Sequence, residues 1–214
     1  MKVGVLALQG AFIEHEKMLR SLGADVVQVR LPEHLEGLDA LIIPGGESTT
    51  IGKLAVQYGL IEPLREFAAE KPTWGTCAGM IFLAKEIGLD RQPILGLMDI
   101  TVNRNAFGRQ IDSFETDLPV KGLDESFPAV FIRAPIATAA GEGVEVLSQL
   151  DDQRIVAARQ GHWLATAFHP ELTGDTRLHA YFLQMARDTG ADAADQMRDS
   201  EAQNADLTDT GAKS

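Results

Sequence analysis

Short runs of Val, Ile and Leu alternate with stretches of helical period through the first half of the chain. Lys2 to Leu8 reads as a strand, about Phe12 to Leu22 as a helix and Asp25 to Val29 as a second strand, the βαβ rhythm of a parallel sheet. Leu38 to Ile43 (LDALII) is apolar without interruption and stops at Pro44-Gly45-Gly46. That pattern predicts a strand buried on both faces that ends in a tight loop. Ser48 and Thr49 are placed to cap a helix running to about Tyr58, and Glu62 to Glu70 reads as another helix. Pro72 to Thr76 reads as a strand that leads into Cys77, with a helix starting near Gly79.

From Ile94 onward the segments are shorter and β-like: LGLMDITV, PAVFIRAP, VEVLSQL, RIVAARQ and HWLATAFHP, separated by Gly, Pro and Asp. They suggest antiparallel additions to a parallel core. Thr176 to Arg187 reads as an amphipathic helix with Leu178, Tyr181, Phe182 and Met185 at helical spacing, residues expected in the core. The fold class is therefore α/β, an open, mostly parallel sheet with antiparallel additions. Beyond Thr189 the chain is acidic and free of aromatics, so it cannot bury enough surface to offset its ordering entropy. The expected organisation is one domain over residues 1–189 and a disordered acidic tail over 190–214 with no part in catalysis.

Composition narrows the function. At 214 residues, 45% hydrophobic and 23% charged, the chain suits an ordinary globular protein. Its formal charge of -12 argues against nucleic acid or an anionic membrane as partner, because such binding relies on Lys and Arg. The first residues resemble neither a cleavable signal nor a spanning helix, so the protein is read as cytoplasmic. A single cysteine excludes an internal disulfide and a cysteine-based metal cluster, which leaves Cys77 as either inert packing or chemistry.

Gly75-Thr76-Cys77-Ala78-Gly79 is a G-x-C-x-G pattern at a strand-to-helix junction, the thiol counterpart of a nucleophile elbow. A strained turn there exposes the nucleophile, while the N–H groups of the following helix face the reacting carbonyl and favour thiolate. A buried, unreactive cysteine is the alternative reading of the pentapeptide alone. Phe168-His169-Pro170-Glu171 supplies a base: Pro170 biases His169 toward extended backbone, and Glu171 is two residues on, in reach of the imidazole. The remaining histidines, His15, His34, His162 and His179, read as satisfied or surface groups. Pro44-Gly45-Gly46-Glu47-Ser48-Thr49 ends a buried strand, where open α/β sheets bind ligands, and its glycines let the backbone approach a bound group. An ordinary turn is the alternative there. No second His or Cys stands at ligand spacing, so no metal is expected.

These segments, P-G-G-E-S, G-T-C-A-G and F-H-P-E in that order, resemble the triad glutamine amidotransferases, whose architecture is a three-layer, flavodoxin-like α/β fold. The resemblance makes Cys77 the nucleophile, His169 the base and acid, Glu171 the orienting carboxylate, and Gly46 and Ala78 the backbone oxyanion donors. From Val3 to about Arg187 the chain is similar in finer detail to the glutaminase subunits of pyridoxal 5'-phosphate synthase, through GVLALQGAFIEH, PGGESTT, RNAFGRQIDSFE, FIRAP and FHPELT. That likeness implies a glutamine site made of Glu47, Ser48, Thr49, Arg104, Ile132 and Arg133. Free glutamine carries an α-carboxylate and an α-ammonium, which Arg104 or Arg133 and Glu47 respectively suit.

The activity so implied is hydrolysis of L-glutamine through a Cys77 thioester, with no metal or organic cofactor. The implied partner is a (β/α)8-barrel synthase that condenses ribose 5-phosphate and glyceraldehyde 3-phosphate with the delivered ammonia. Family members of this kind are poorly active until the partner orders the oxyanion loop, here Gly45 to Glu47, and the segment Gln9 to His15 is the expected docking region. Two other readings remain: a glutaminase serving another biosynthetic amidotransferase, and a non-catalytic interaction protein on the same fold with a redox-sensitive Cys77.

Overall fold

The computed structural model describes residues 1–88, 91–104, 113–150 and 154–191. The parallel half runs β1 (Lys2–Leu6), α1 (Phe12–Ser21), β2 (Asp25–Val29), β3 (Ala40–Ile43), α2 (Ser48–Gln57), α3 (Ile61–Glu70), β4 (Thr73–Thr76) and α4 (Ala78–Leu83). The second half adds β5 (Ala84–Glu86), β6 (Met98–Asn103), β7 (Ser113–Leu118), β8 (Phe127–Ile132), β9 (Ile136–Ala140), β10 (Glu145–Gln149), β11 (Ile155–Gln160) and β12 (Trp163–Thr166). A 3-10 turn, Pro32–Leu35, links β2 to β3, and a second, Pro170–Leu172, precedes a closing helix, α5, over 177–191.

The main sheet has the order β2-β1-β3-β4-β12-β11-β9-β6-β5, with β10 added beside β11. From β2 to β12 every pairing is parallel, and the next ones, β12 with β11, β11 with β9 and β9 with β6, are antiparallel. The parallel order is that of a flavodoxin-like doubly wound sheet, which opens a crevice at the carboxyl ends of its strands. Strands β7 and β8 form a separate antiparallel ribbon. All four residues of β3 are fully buried, as its unbroken apolar run predicts.

Alternation along β4 sets the layers. Trp74 points to one face, where its ring meets His15 of α1 and His179 and Phe182 of α5. Gly75 points to the other, where α4 lies so close that a Cβ would strike the Gly79 carbonyl. Leu178, Phe182 and Met185 are buried and Tyr181 packs at the margin, as the helical spacing predicts.

Three strands lack a sequence signal. The residues of β7 are mostly polar, those of β9 are mostly small, and β5 is only three residues long, so none shows a clean apolar alternation. The cap of α2 also differs: Glu47 is the capping residue, its carboxylate accepting from the Thr49 and Thr50 N–H groups, with Ser48 and Thr49 inside the helix. A longer side chain reaches the second and third helical N–H groups as well as a serine would. No helix among the described residues is long and apolar enough to cross a membrane. The expected acidic tail lies outside the described residues from 192 on, as do residues 105–112 of the RNAFGRQIDSFE segment.

Candidate active site

The carboxyl ends of β3, β4 and β12 each deliver one piece of the site. Cys77 follows β4 and precedes α4 with φ 47° and ψ -103°, a left-handed strain that only a tightly held turn keeps in a non-glycine residue. Its N–H donates to the Thr166 carbonyl at 2.8 Å, which ties the elbow to β12. The flanking glycines are required by contact: a Cβ on Gly79 would enter the Ile43 carbonyl, and one on Gly75 would enter Gly79.

His169 leaves β12 through Ala167 and Phe168 and is held by its N–H to the Val130 carbonyl at 2.8 Å. Its Nδ1 lies 2.7 Å from Glu171 Oε1, which leaves Nε2 for the Cys77 thiol that lines the same cleft. Burial would lower the His169 pKa, but the hydrogen bonds and charges of Cys77 and Glu171 outweigh it and raise the value to about 10. The imidazole is therefore positioned and charged beside the thiol, an arrangement suited to a thiolate nucleophile with an adjacent proton donor.

The loop after β3 closes one side. Gly45 N–H donates to Thr76 Oγ1 at 3.0 Å, Ala11 N–H donates to the Gly45 carbonyl at 3.0 Å, and Glu47 N–H donates to Gln9 Oε1 at 2.7 Å. A side chain on Gly45 would overlap the His169 ring. A cleft of about 480 Å3 opens over the cysteine, lined by Cys77, Ala78 and His169 with Gly46, Glu47 and Ser48. Arg104, Ile132, Arg133, Gln9 and Ile81 complete its wall. Among the described residues no group of three His, Cys, Asp or Glu side chains could hold a metal ion.

The model of the SNO glutamine amidotransferase family matches residues 5–188. The chain belongs to that family. It is 68% identical over 188 residues to a pyridoxal 5'-phosphate synthase subunit PdxT of Herpetosiphon aurantiacus, covering 86% of this chain and 99% of that one. A solved structure described as a glutamine amidotransferase superposes with TM-score 0.82 at 58% identity, over 86% of this chain and 98% of that one. A putative GMP synthase subunit of Thermoplasma acidophilum, 17% identical with TM-score 0.65 over 92% of this chain and 98% of that one, shares the fold.

Nearly all the residues singled out in this amidotransferase sequence meet at one cleft. Glu171 sits behind His169, 4% exposed, and Thr49 stands one position into α2, so these two back the lining. Arg104 bonds Thr49 Oγ1 at 3.2 Å and reaches Glu47 Oε1 at 3.4 Å, which joins the expected cation and carboxylate. Glu47 is also the α2 cap. The hydrogen bond from the Thr50 hydroxyl, against slight burial and with the Thr49 and Thr50 N–H groups, lowers its pKa to about 2.

Four polar groups escaped the sequence reading: Gln9, Thr76, Gln92 and His15. Gln92 Oε1 receives Ser48 Oγ, Thr49 Oγ1 and Arg104 Nη1, the last at 2.7 Å. His15 is fully buried and lies 3.3 Å from Glu171 Oε2 through its Nε2. The signal for Gln9 and His15 is their place in the N-terminal stretch GVLALQGAFIEH, and for Thr76 its place inside the elbow pentapeptide. Gln92 has no local signal.

Proposed function

We propose that this amidotransferase is the glutaminase subunit of a pyridoxal 5'-phosphate synthase. It hydrolyses L-glutamine to glutamate and ammonia and passes the ammonia to a (β/α)8-barrel synthase that uses ribose 5-phosphate and glyceraldehyde 3-phosphate. The observation that carries the chemistry is that Cys77 and His169 line one cleft while Glu171 bonds the imidazole from behind. The pathway rests on the high identity to subunits bearing that name.

In this reading the Cys77 thiolate attacks the amide carbon of glutamine while the Gly46 and Ala78 N–H groups receive the developing oxyanion. Collapse expels ammonia, protonated by His169, and leaves a γ-glutamyl thioester. Water, deprotonated by His169, then hydrolyses the thioester to glutamate and restores the thiol. Glu171 keeps Nδ1 of His169 protonated and its ring oriented. Glu47, Ser48, Thr49, Arg104, Ile132 and Arg133 bind the amino-acid end of the substrate, and no metal or organic cofactor takes part.

Gly45 and Glu47 N–H groups are engaged by Thr76 and Gln9, which supports a loop whose donors are set by its neighbours. Docking of the synthase near Gln9 to His15 shifts that loop toward the active arrangement. The catalytic unit is residues 1–189, the acidic segment 190–214 stands outside it, and the enzyme is cytoplasmic, where reducing conditions keep its single cysteine a free thiol.

The test is glutamate release from glutamine by the purified chain, alone and with the synthase subunit, for the wild type and Cys77→Ala. Strong partner-dependent release that disappears in Cys77→Ala is the expected result. Normal turnover by Cys77→Ala would refute the mechanism, and equal rates with and without the synthase would refute the gating.

A further inference from the structure

Behind the triad lies a second pair of imidazoles. His15 on α1 and His179 on α5 are both 0% exposed, and His15 Nδ1 is 2.9 Å from His179 Nε2. On its other side His15 Nε2 lies 3.2 Å from Thr76 Oγ1 and 3.3 Å from Glu171 Oε2. Glu171 is buried as well, and while its Oε1 serves His169, its Oε2 has no hydrogen bond of regular geometry among the described residues. The Glu171 oxygen without a regular partner thus faces the imidazole of His15.

Tautomers decide what that contact does. Glu171 accepts hydrogen bonds and does not donate while it is ionised, so a lone pair on His15 Nε2 would face another lone pair in a dry site. With the proton on Nε2, His15 donates to Thr76 Oγ1 and sets the positive end of the same N–H beside Glu171 Oε2 at 3.3 Å, and its Nδ1 is free to accept from His179 Nε2–H. His179 Nδ1, which lacks a partner among the described residues, is then an unfilled acceptor, which costs less than an unpaired buried N–H. The opposite arrangement would leave a donor stranded at His179 and an acceptor aimed at a carboxylate. Both rings are also kept neutral: burial, then His179 and His169, hold His15 well below its ordinary pKa, and burial lowers His179 to about 4.

We propose that His15 is a positioning residue for glutamine hydrolysis, its Nε2–H, set by His179, holding Glu171 Oε2 so that Oε1 stays on His169 Nδ1. The proposal rests on the reading of Cys77, His169 and Glu171 as a triad. The titratable groups facing His15 are His179 from α5, Glu171 from the Pro170–Leu172 turn and His169 beyond it, while β4 presents the neutral Trp74 and Thr76. Without its restraint Glu171 turns from His169, and the imidazolium beside the thiol loses support.

Two substitutions of like polarity separate positioning from simple packing. The amide nitrogen of Gln reaches the place of His Nε2, whereas that of Asn reaches only the place of Nδ1. Full-length His15→Gln and His15→Asn are assayed with the synthase subunit present. His15→Asn is expected to lower kcat by about tenfold or more with the KM for glutamine nearly unchanged. The alkaline limb of its kcat profile should move down by about one pH unit, and His15→Gln should recover most of both losses. Equal kcat and superimposable profiles for the two variants would overturn the proposal.

A measurement on the unmodified chain stands whether or not the variants fold. Histidine-selective 15N NMR should find His15 uncharged and protonated on Nε2 between about pH 6 and 8, and an Nδ1–H tautomer would overturn the proposal. Glu171→Gln is run alongside. If it turns over like the wild type the triad reading itself fails, and if it is crippled while the two His15 variants match each other, only the role of His15 fails.

Discussion

Cys77 and Arg133 are the non-glycine residues with positive φ among those described, at 47° and 41°, and both line the same cleft. The strain at Cys77 comes with an elbow that glycines on either side make possible. At Arg133 it turns the chain out of β8 and sets a cation at the cleft wall.

Arg133→Gly therefore separates the two demands. Removing the left-handed strain, less the added freedom of the unfolded chain, should raise the unfolding free energy by up to about 1 kcal/mol. The lost cation should raise the KM for glutamine by about tenfold. Urea denaturation and steady-state kinetics check both parts, and an unchanged KM would remove Arg133 from the substrate site.

Gly45→Ala should leave the fold standing and disable turnover. The added methyl would meet the His169 ring and come to 3.2 Å from Cys77 Cβ, so the imidazole must shift. A displacement of that kind costs about 100-fold in kcat. Thermal unfolding near the wild-type value with this loss of kcat is the expected pair of results.

The charge on His169 predicts where activity fails in base. With its pKa raised to about 10, the imidazolium proposed to protonate the leaving ammonia persists far above the usual histidine range. The alkaline limb of kcat should lie near that value, and in Glu171→Gln, where part of the support is lost, it should move to lower pH. A wild-type limb near neutrality would contradict the geometry.

His15 and His179 bear on stability in acid. Their folded pKa values are depressed, chiefly by burial, while those of the unfolded chain are ordinary. The unfolded state then binds more protons as pH falls below about 6.5, so stability drops on acidification, by up to about 1.4 kcal/mol per pH unit for each histidine. Denaturant midpoints at pH 7 and pH 5 measure this, and the slope should shrink in His179→Phe.

Glu47 contributes in a different window. Its folded pKa of about 2 lies below that of an unfolded glutamate, so its capping contribution is complete at neutral pH and fades as pH falls toward 2. Glu47→Ala should cost about 1 kcal/mol at pH 7. The gap between mutant and wild type should be narrower at pH 3, as read from urea midpoints.

The parts of this protein that were legible in its sequence are those encoded over a few residues. LDALII followed by Pro-Gly-Gly specifies a buried strand and its loop, G-T-C-A-G specifies a crowded elbow, and His-Pro-Glu sets a carboxylate two residues from an imidazole. The contact of His15 with Glu171 was not legible, because it needs α1 to pack against the Pro170–Leu172 turn, which lies far along the chain. Gln92 was hidden for the same reason, since it meets Ser48, Thr49 and Arg104 only after the chain has turned back. Glu47 was read for its charge toward a ligand, and its second task as a helix cap depends on a backbone bend that composition does not reveal.

Trp74 packs edge-on to both buried imidazoles, its ring centroid 5.8 Å from that of His15 and 5.0 Å from that of His179, and the sequence contains only two tryptophans. The enzyme thus carries an intrinsic fluorophore against the groups that back Glu171. Charging or displacing either imidazole changes the field on that indole, so the emission of Trp74 can be followed during turnover, or as the synthase docks, without attaching a label.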